Sequence, residues 1–425
     1  MRLIVSILTL LLGFAGALLA QNEPAFPIGE QWQFPDARTL GMGGAGSVSN
    51  TSAAALLQNP AALAGNEAGL HLQLSPSGRK LEERRAFPIY DRFGSFLTDG
   101  IYAVNEHWFT QVQGGLQYNF ETIPLLKSLA LGAYSEYDQN YTYEEEVREN
   151  DFEREQAPFA YNKLNYDGSL TRYAFGAAFQ PAASVHAGVQ VGILNGELKD
   201  ERSIIFVRNS DQNIRQENTR KLANTPLVAA LGAIYQVNPY LALGSHLRLP
   251  YTVDYDVQPN SFGASEDEPY SESIEYPMLL NVGLEYRGQQ AFQARLNVDV
   301  SYEWWSQVDV TRDNAVTADG FDDVVQIKAG IEHLFFEQVP FLVGIQYRTT
   351  YQDRRNTRLM FTGGSGFTGR FWRVDVAAGF SKVDYRASDL FADALFGGDR
   401  SANAIDDVTE NYFFGMATLR VNIKP

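Results

Sequence analysis

An alternation of apolar and polar residues with a period of two, sustained over long stretches, most constrains what this chain can fold into. Leu296, Val298, Val300, Tyr302 and Trp304 fall on one side of an extended strand, and Asn297, Asp299, Ser301 and Glu303 on the other. The same pattern runs through Val185 to Ile193, Phe341 to Tyr347, Phe371 to Phe380 and Ala417 to Ile423. Half-buried strands of a soluble sandwich also alternate, but they are usually about 5–6 residues long. Fourteen segments, from 67–76 to 411–424, can be read as strands, many of them much longer than that. Short turns near 180–182, 238–239, 288–290, 337–338 and 366–369 alternate with longer connections near 77–109, 148–160, 206–221, 259–272, 312–321 and 387–410. An even number of long antiparallel strands, with short turns at one end and long loops at the other, is the pattern of a transmembrane barrel. The expectation is an all-β chain forming a transmembrane antiparallel β-barrel of about 14 strands. Trp304, Trp305, Trp372 and the strand-end tyrosines are expected in its interfacial girdles.

Ahead of the strands lie two other segments. Met1-Arg2 followed by the apolar run Leu3 to Leu19 reads as a secretory signal, residues 1–20, cleaved after Ala20. No later apolar run reaches the roughly 18 residues of a membrane helix. Residues 21–66 are rich in Gly, Ala and Ser, with Gly41, Gly43, Gly44 and Gly46 in close succession. Ser52 to Leu57 can form a helical turn or two, and Asn59-Pro60 stops it, because a residue before proline is pushed out of the α region. Gly41-x-Gly43-x-x-Gly46 matches a dinucleotide fingerprint in letters only. Phe34-Pro35-Asp36 is no buried strand before it, and Ser47 to Thr51 is a poor helix start after it. Within the barrel region, residues 67–425, a glycine recurs at mid-strand: Gly132, Gly176, Gly188, Gly232, Gly244, Gly283, Gly330, Gly344 and Gly379. Each follows an outward apolar residue and so faces the lumen. Such a belt suits close approach by another segment, or simply relieves crowding and promotes curvature.

The net charge of −17 argues against a nucleic-acid partner, and the absence of cysteine excludes disulfides and thiolate chemistry. The five histidines have no metal-ligand spacing, so neither a metal nor a cofactor is expected. Gly364-Ser365-Gly366 is not a nucleophile elbow, since Phe367 stands where the last glycine belongs, and no enzyme activity is expected. The lumenal faces carry His246, Arg248, Arg287, Lys328, Arg348 and Arg373, together with Glu285, Asp299, Glu303, Glu332 and Asp375. A guanidinium grips a carboxylate with two parallel hydrogen bonds. Arg248 and Arg348 are therefore the first candidates for an amphipathic ligand's head group, with His246, Lys328 and Arg373 beside them; the alternative is that these charges pair across strands. Two acidic segments, Glu144 to Glu155 and Glu266 to Glu275, are either solvated loop tips or sites for cations bridging lipopolysaccharide.

The run Pro35-Asp-Ala-Arg38, Gly41-Met-Gly-Gly-Ala-Gly46 and Asn59-Pro60-Ala61 resembles the N-terminal segment of FadL-type outer-membrane transporters and their PorV-like relatives. Asp299 to Ser306, Val325 to Tyr347 and Arg370 to Tyr385 resemble later strands of the same superfamily, although the chain ends Ile423-Lys424-Pro425 rather than in an aromatic residue. The resemblance implies a Gram-negative outer-membrane location, in contact with outer-membrane lipid and lipopolysaccharide. It implies a hatch within residues 21–66, hinged at Gly41, Gly43, Gly44 and Gly46 and fixed at Asn59, Pro60 and Ala61. It also implies passive uptake of hydrophobic or amphipathic small molecules such as long-chain fatty acids, with exit sideways through the wall. The PorV-like branch implies instead a type IX secretion partner that holds secreted cargo. A third alternative is a plain diffusion porin, which would have an unplugged lumen.

Overall fold

The computed structural model describes residues 28–424 except 30, 33, 149–157, 209, 263–267, 289–293, 337, 354–355 and 392–404. The expected signal lies outside the described residues. Among those described, fourteen long antiparallel strands form one closed ring. β1 is Gly69–Tyr90, β2 Phe96–Asn119, β3 Leu126–Asp138 continued by Tyr141–Arg148, and β4 Pro158–Ala182. β5 comprises Val185–Asn195 and Glu197–Phe206, β6 Ile214–Leu222 and Leu227–Asn238, and β7 Leu241–Arg248 and Tyr251–Phe262. β8 comprises Tyr270–Tyr276 and Leu279–Arg287, β9 Ala294–Glu303 and Val310–Arg312, and β10 Ala315–Ala318 and Val324–Phe335. β11 is Val339–Thr349, β12 Thr357–Thr368, β13 Trp372–Ser388 and β14 Ile405–Ile423. Each strand pairs with the next, and β14 returns to β1 from Leu70↔Ile423 to Ala86↔Asp407, so no edge is left at the seam.

The outward side chains form an apolar band. Leu74, Leu131, Val191, Val282, Val343 and Val376 are each about half exposed. Without the lipid that such a surface requires, this band would be an aggregation liability. The chain is a membrane-spanning barrel. On β1 the outward row turns from Leu72, Leu74 and Pro76 to Lys80, Glu82 and Arg84, which marks the upper edge of the band.

Three expectations need correction. The long outer loop expected at 77–109 is instead a continuous hairpin, β1 running up to Tyr90 and β2 starting down from Phe96. Above the band both faces of β1 carry charges, Lys80, Glu82 and Arg84 outward and Arg79, Glu83 and Arg85 inward, so the apolar alternation fades although the ladder persists. Trp305 is not in a girdle; it is fully buried and stacks on Tyr351 at 4.4 Å. A 3-10 turn over Trp305–Gln307 interrupts β9 there, breaks the alternation and folds the indole inward. Arg287 sits at the rim of the barrel, with its side chain 45% exposed, and pairs with Glu285 at 2.8 Å.

The N-terminal segment lies inside the ring. α1 spans Ala37–Gly41, α2 Ala55–Gln58, and a 3-10 helix Pro60–Gly65 follows. The helical turn expected over 52–57 thus begins later and is only one turn long. Asp36 caps α1 through Thr39 N–H at 2.7 Å, and the Asn59 carboxamide accepts from Ala61 N–H at 3.1 Å.

Candidate functional site

Close backbone approach fixes the segment on one side. A Cβ placed on Gly176 would strike Leu56. One on Gly188 or Gly232 would strike Asn59-Pro60-Ala61, and one on Gly330 or Gly344 would strike Met42 and Gly43. A Cβ at Gly244 would lie 2.8 Å from Val48. Seven of the nine mid-strand glycines meet the segment in this way; Gly379 is only in ordinary contact with Leu40 at 3.4 Å, and Gly132 lies under the ring of Tyr134. From the other partner, Gly43 has φ +67°, and a Cβ on it would come 2.6 Å from the backbone of Ile345. Only glycine satisfies both demands.

Polar contacts tie the same region to the wall. The Asp299 carboxylate accepts from Gly46 N–H (2.9 Å), Ser47 N–H (3.0 Å) and Ser47 Oγ (2.7 Å). Arg38 donates to Glu332 at 2.6 Å, and both side chains are buried. Glu332 also takes Arg373 at 3.1 Å, which bonds Asp375 in turn at 2.8 Å, and Arg420 completes the chain on Asp375 at 2.6 Å. Ala37 N–H donates to Thr418 Oγ1 at 2.8 Å, 381 positions along the chain.

The wall between β2 and β3 is different. Their ladder covers only Gly114↔Ala133 to Asn119↔Ser128, although β2 continues up to Phe96 and β3 to Asp138. The two strands approach again higher up, where Glu144 N–H donates to Asn105 Oδ1 at 2.8 Å. Between these points is a window in the wall. Side chains cross it from inside. Arg79, stacked 4.5 Å over Phe109, reaches Asp138 at 2.9 Å and the Asn140 carbonyl at 3.0 Å. Behind the window lies a mainly apolar cavity of about 40 Å³ bounded by Trp32, Phe34, Phe109, Phe414 and Met416. Trp32 and Phe34 pack on Phe414 at 4.7 and 5.8 Å. The side chains of Gln113 and Gln73 hold the neighbouring carbonyls of Phe34 and Pro35 at 2.5 and 3.1 Å.

A second cavity of about 40 Å³ gathers His246, Arg248 and Lys328 with Arg172, Glu136 and Asp299. Arg172 and Arg248 (3.0 Å) both pair with Glu136. The Nε atoms of both arginines and His246 Nε2 are buried without a hydrogen-bond partner among the described residues. The volume suits a water or a small polar group rather than a chain. Arg348 lies apart, donating to the Gln31 carbonyl at 2.9 Å and sitting 3.7 Å from Glu303. Arg373 belongs to the Glu332–Asp375 chain. Three of the five basic candidates therefore share one site and two do not. Sequence reasoning missed Glu136, Arg172, Arg79 and Asp138. Their inward parity was legible, but their mutual approach depends on stagger between strands. In the acidic segments, Glu144 pairs with Lys163 at 2.8 Å and Glu272 with Arg220 at 2.7 Å, while 149–155 and 266–267 lie outside the described residues.

A closed 14-stranded antiparallel barrel with an apolar exterior, its N-terminal segment packed against the inner wall, defines a membrane barrel. Solved structures share this fold. A Pseudomonas aeruginosa FadL homologue matches 93% of this chain and 99% of its own, at 12% identity and TM-score 0.66. The P. putida toluene transporter TodX matches 92% and 99%, at 13% identity and TM-score 0.60. The monoaromatic hydrocarbon channel CymD matches 92% and 98%, at 14% identity and TM-score 0.55. The chain matches no protein-family model and no curated protein sequence. The chain has the FadL-type barrel fold. TodX and CymD are by name a transporter and a channel.

Proposed function

We propose that the chain is a passive outer-membrane channel for hydrophobic or amphipathic small molecules, long-chain fatty acids among them, in which residues 21–66 act as a hatch. The observation that carries this reading is the window between β2 and β3, with an apolar cavity directly behind it. A lipid-like ligand gains by passing sideways into the bilayer without crossing water. Trp32 and Phe34 close the cavity from inside, and a shift of that stretch opens it toward the window. Gly43 and Gly46 stay held against the wall, as do Asn59, Pro60 and Ala61 against Gly188 and Gly232, so in this reading the shift is confined to the stretch ahead of Arg38 rather than hinged at Gly41, Gly43, Gly44 and Gly46.

The cavity around His246, Arg248 and Lys328 is the head-group site in this reading, and its unpartnered guanidinium nitrogens supply carboxylate donors. Arg348 and Arg373 hold the segment instead. A lumen filled this way does not suit a plain diffusion porin, and no observation favours the cargo-holding alternative. The test is fatty-acid and toluene flux into proteoliposomes, with extraction of co-purifying lipid. Flux that falls in Arg248→Ala for the fatty acid but not for toluene supports a head-group site. No flux of either compound overturns the channel.

A further inference from the structure

The outer wall beside the window carries a groove of about 620 Å³ that opens toward lipid. Its floor is a row of directly opposed residues crossing the strands: Gln73↔Gly115, Gly115↔Gly132, Gly132↔Ala174 and Ala174↔Gly192. These positions face inward, and four of the five have at most a methyl group, so the outer surface of the row is bare backbone. The lower bank is the neighbouring outward row, Leu72, Leu116, Leu131, Phe175 and Val191, each 40–48% exposed. The upper bank stands at Leu74 on β1 and at Tyr173, Ile193 and Leu227 beyond β3. Where it crosses β2 and β3, it is Gly114 opposite Ala133.

This gap in the upper bank coincides with the last rung of the β2–β3 ladder, so the groove and the window are continuous. A row over five strands spaced about 4.8 Å apart is roughly 20 Å long, and banks two residues apart leave a width of about 6.7 Å. Those dimensions suit one extended alkyl chain and exclude a bulky ring system lying flat. We propose that this groove is a binding site for the linear hydrocarbon chain of the ligand leaving through the window. The chain is caught on the outer wall before it disperses into the bilayer. The inference rests on the channel reading above; its occupant is the exiting ligand rather than a resident bilayer lipid, because the bank is missing only at the window.

The chain has no cysteine, so a single fluorophore can be placed cleanly. Bimane is attached to Val191→Cys in the groove or to Val282→Cys on the lipid face of β8, and the full-length protein is set in nanodiscs. The probes are a nitroxide-labelled long-chain fatty acid and a phospholipid carrying the same nitroxide. The expected result is saturable quenching at position 191 by the fatty acid, at about tenfold lower concentration than at 282, equivalent to about 1.4 kcal/mol. Filling the missing bank with Ala133→Phe, or with the milder Ala133→Leu, removes that difference. Gly114 cannot be used, because any Cβ there strikes the Gln73 carbonyl. Equal quenching at both positions overturns the site. A phospholipid preference at 191 matching that of the fatty acid overturns the assigned occupant. Flux in the same preparation separates the two readings: flux without selective quenching removes the groove alone, whereas absence of flux removes the channel.

Discussion

Strands β4 to β11 and the strands around the window, β14 and β1 to β3, meet the same N-terminal segment in different ways. On the first side the contact is backbone against backbone, through glycines that admit no side chain, backed by buried carboxylates on Arg38 and on the amides of Gly46 and Ser47. On the second it is aromatic rings, two glutamine side chains and an unlaced wall. Close-packed backbone has no graded way to give, since a shift of a fraction of an ångström either clashes or abandons the contact. Ring packing over a cavity can slide. The comparison teaches that one half of the segment is an anchor and that the other half is where movement costs least.

The anchor breaks most severely at its ion pair. Glu332→Ala leaves Arg38 buried without its carboxylate and is expected to cost the seated segment about 3–5 kcal/mol. Planar-bilayer recording should then show ion conductance that the parent lacks. Gly344→Val drives a branched side chain into Gly43 and is expected to cost about 1–3 kcal/mol, read as faster protease cleavage within residues 34–66. Asp299→Asn keeps the shape but loses the charge assistance to two amides and a hydroxyl. About 1–2 kcal/mol is expected, measured by the same proteolysis. The smallest stability effect lies at the window. Phe109→Ala removes a half-buried ring and should lower stability by no more than about 1–2 kcal/mol, while raising hydrophobic flux. A variant that opens ion conductance as widely as Glu332→Ala would erase the distinction between anchor and mobile side.

The alternation of apolar and polar residues made the strand count and the inward set legible, since parity alone decides which face a residue joins. Gly188, Gly330 and Gly344 could be placed facing the lumen for the same reason. Parity is silent about height, however. It could not bring Arg172 and Arg248 to Glu136, nor separate Arg348 and Arg373 from His246 and Lys328. It fails wherever both faces are polar, as in Arg79 to Arg85 above the band, and wherever a 3-10 turn intrudes, as at Trp305. The window was not legible at all. Gly114 and Ala133 look like ordinary small residues, and only the register reveals that pairing stops between them.

The bond from Ala37 to Thr418 also has a consequence in time. The segment precedes every strand in the chain, yet its partners Glu332 and Thr418 lie on β10 and β14, near the other end of the barrel sequence. Closing loops of that length slows a search far more than it weakens the final state. Until β14 meets β1, the lumen has no wall on one side. The seat of the segment is therefore complete only once β14 has closed on β1.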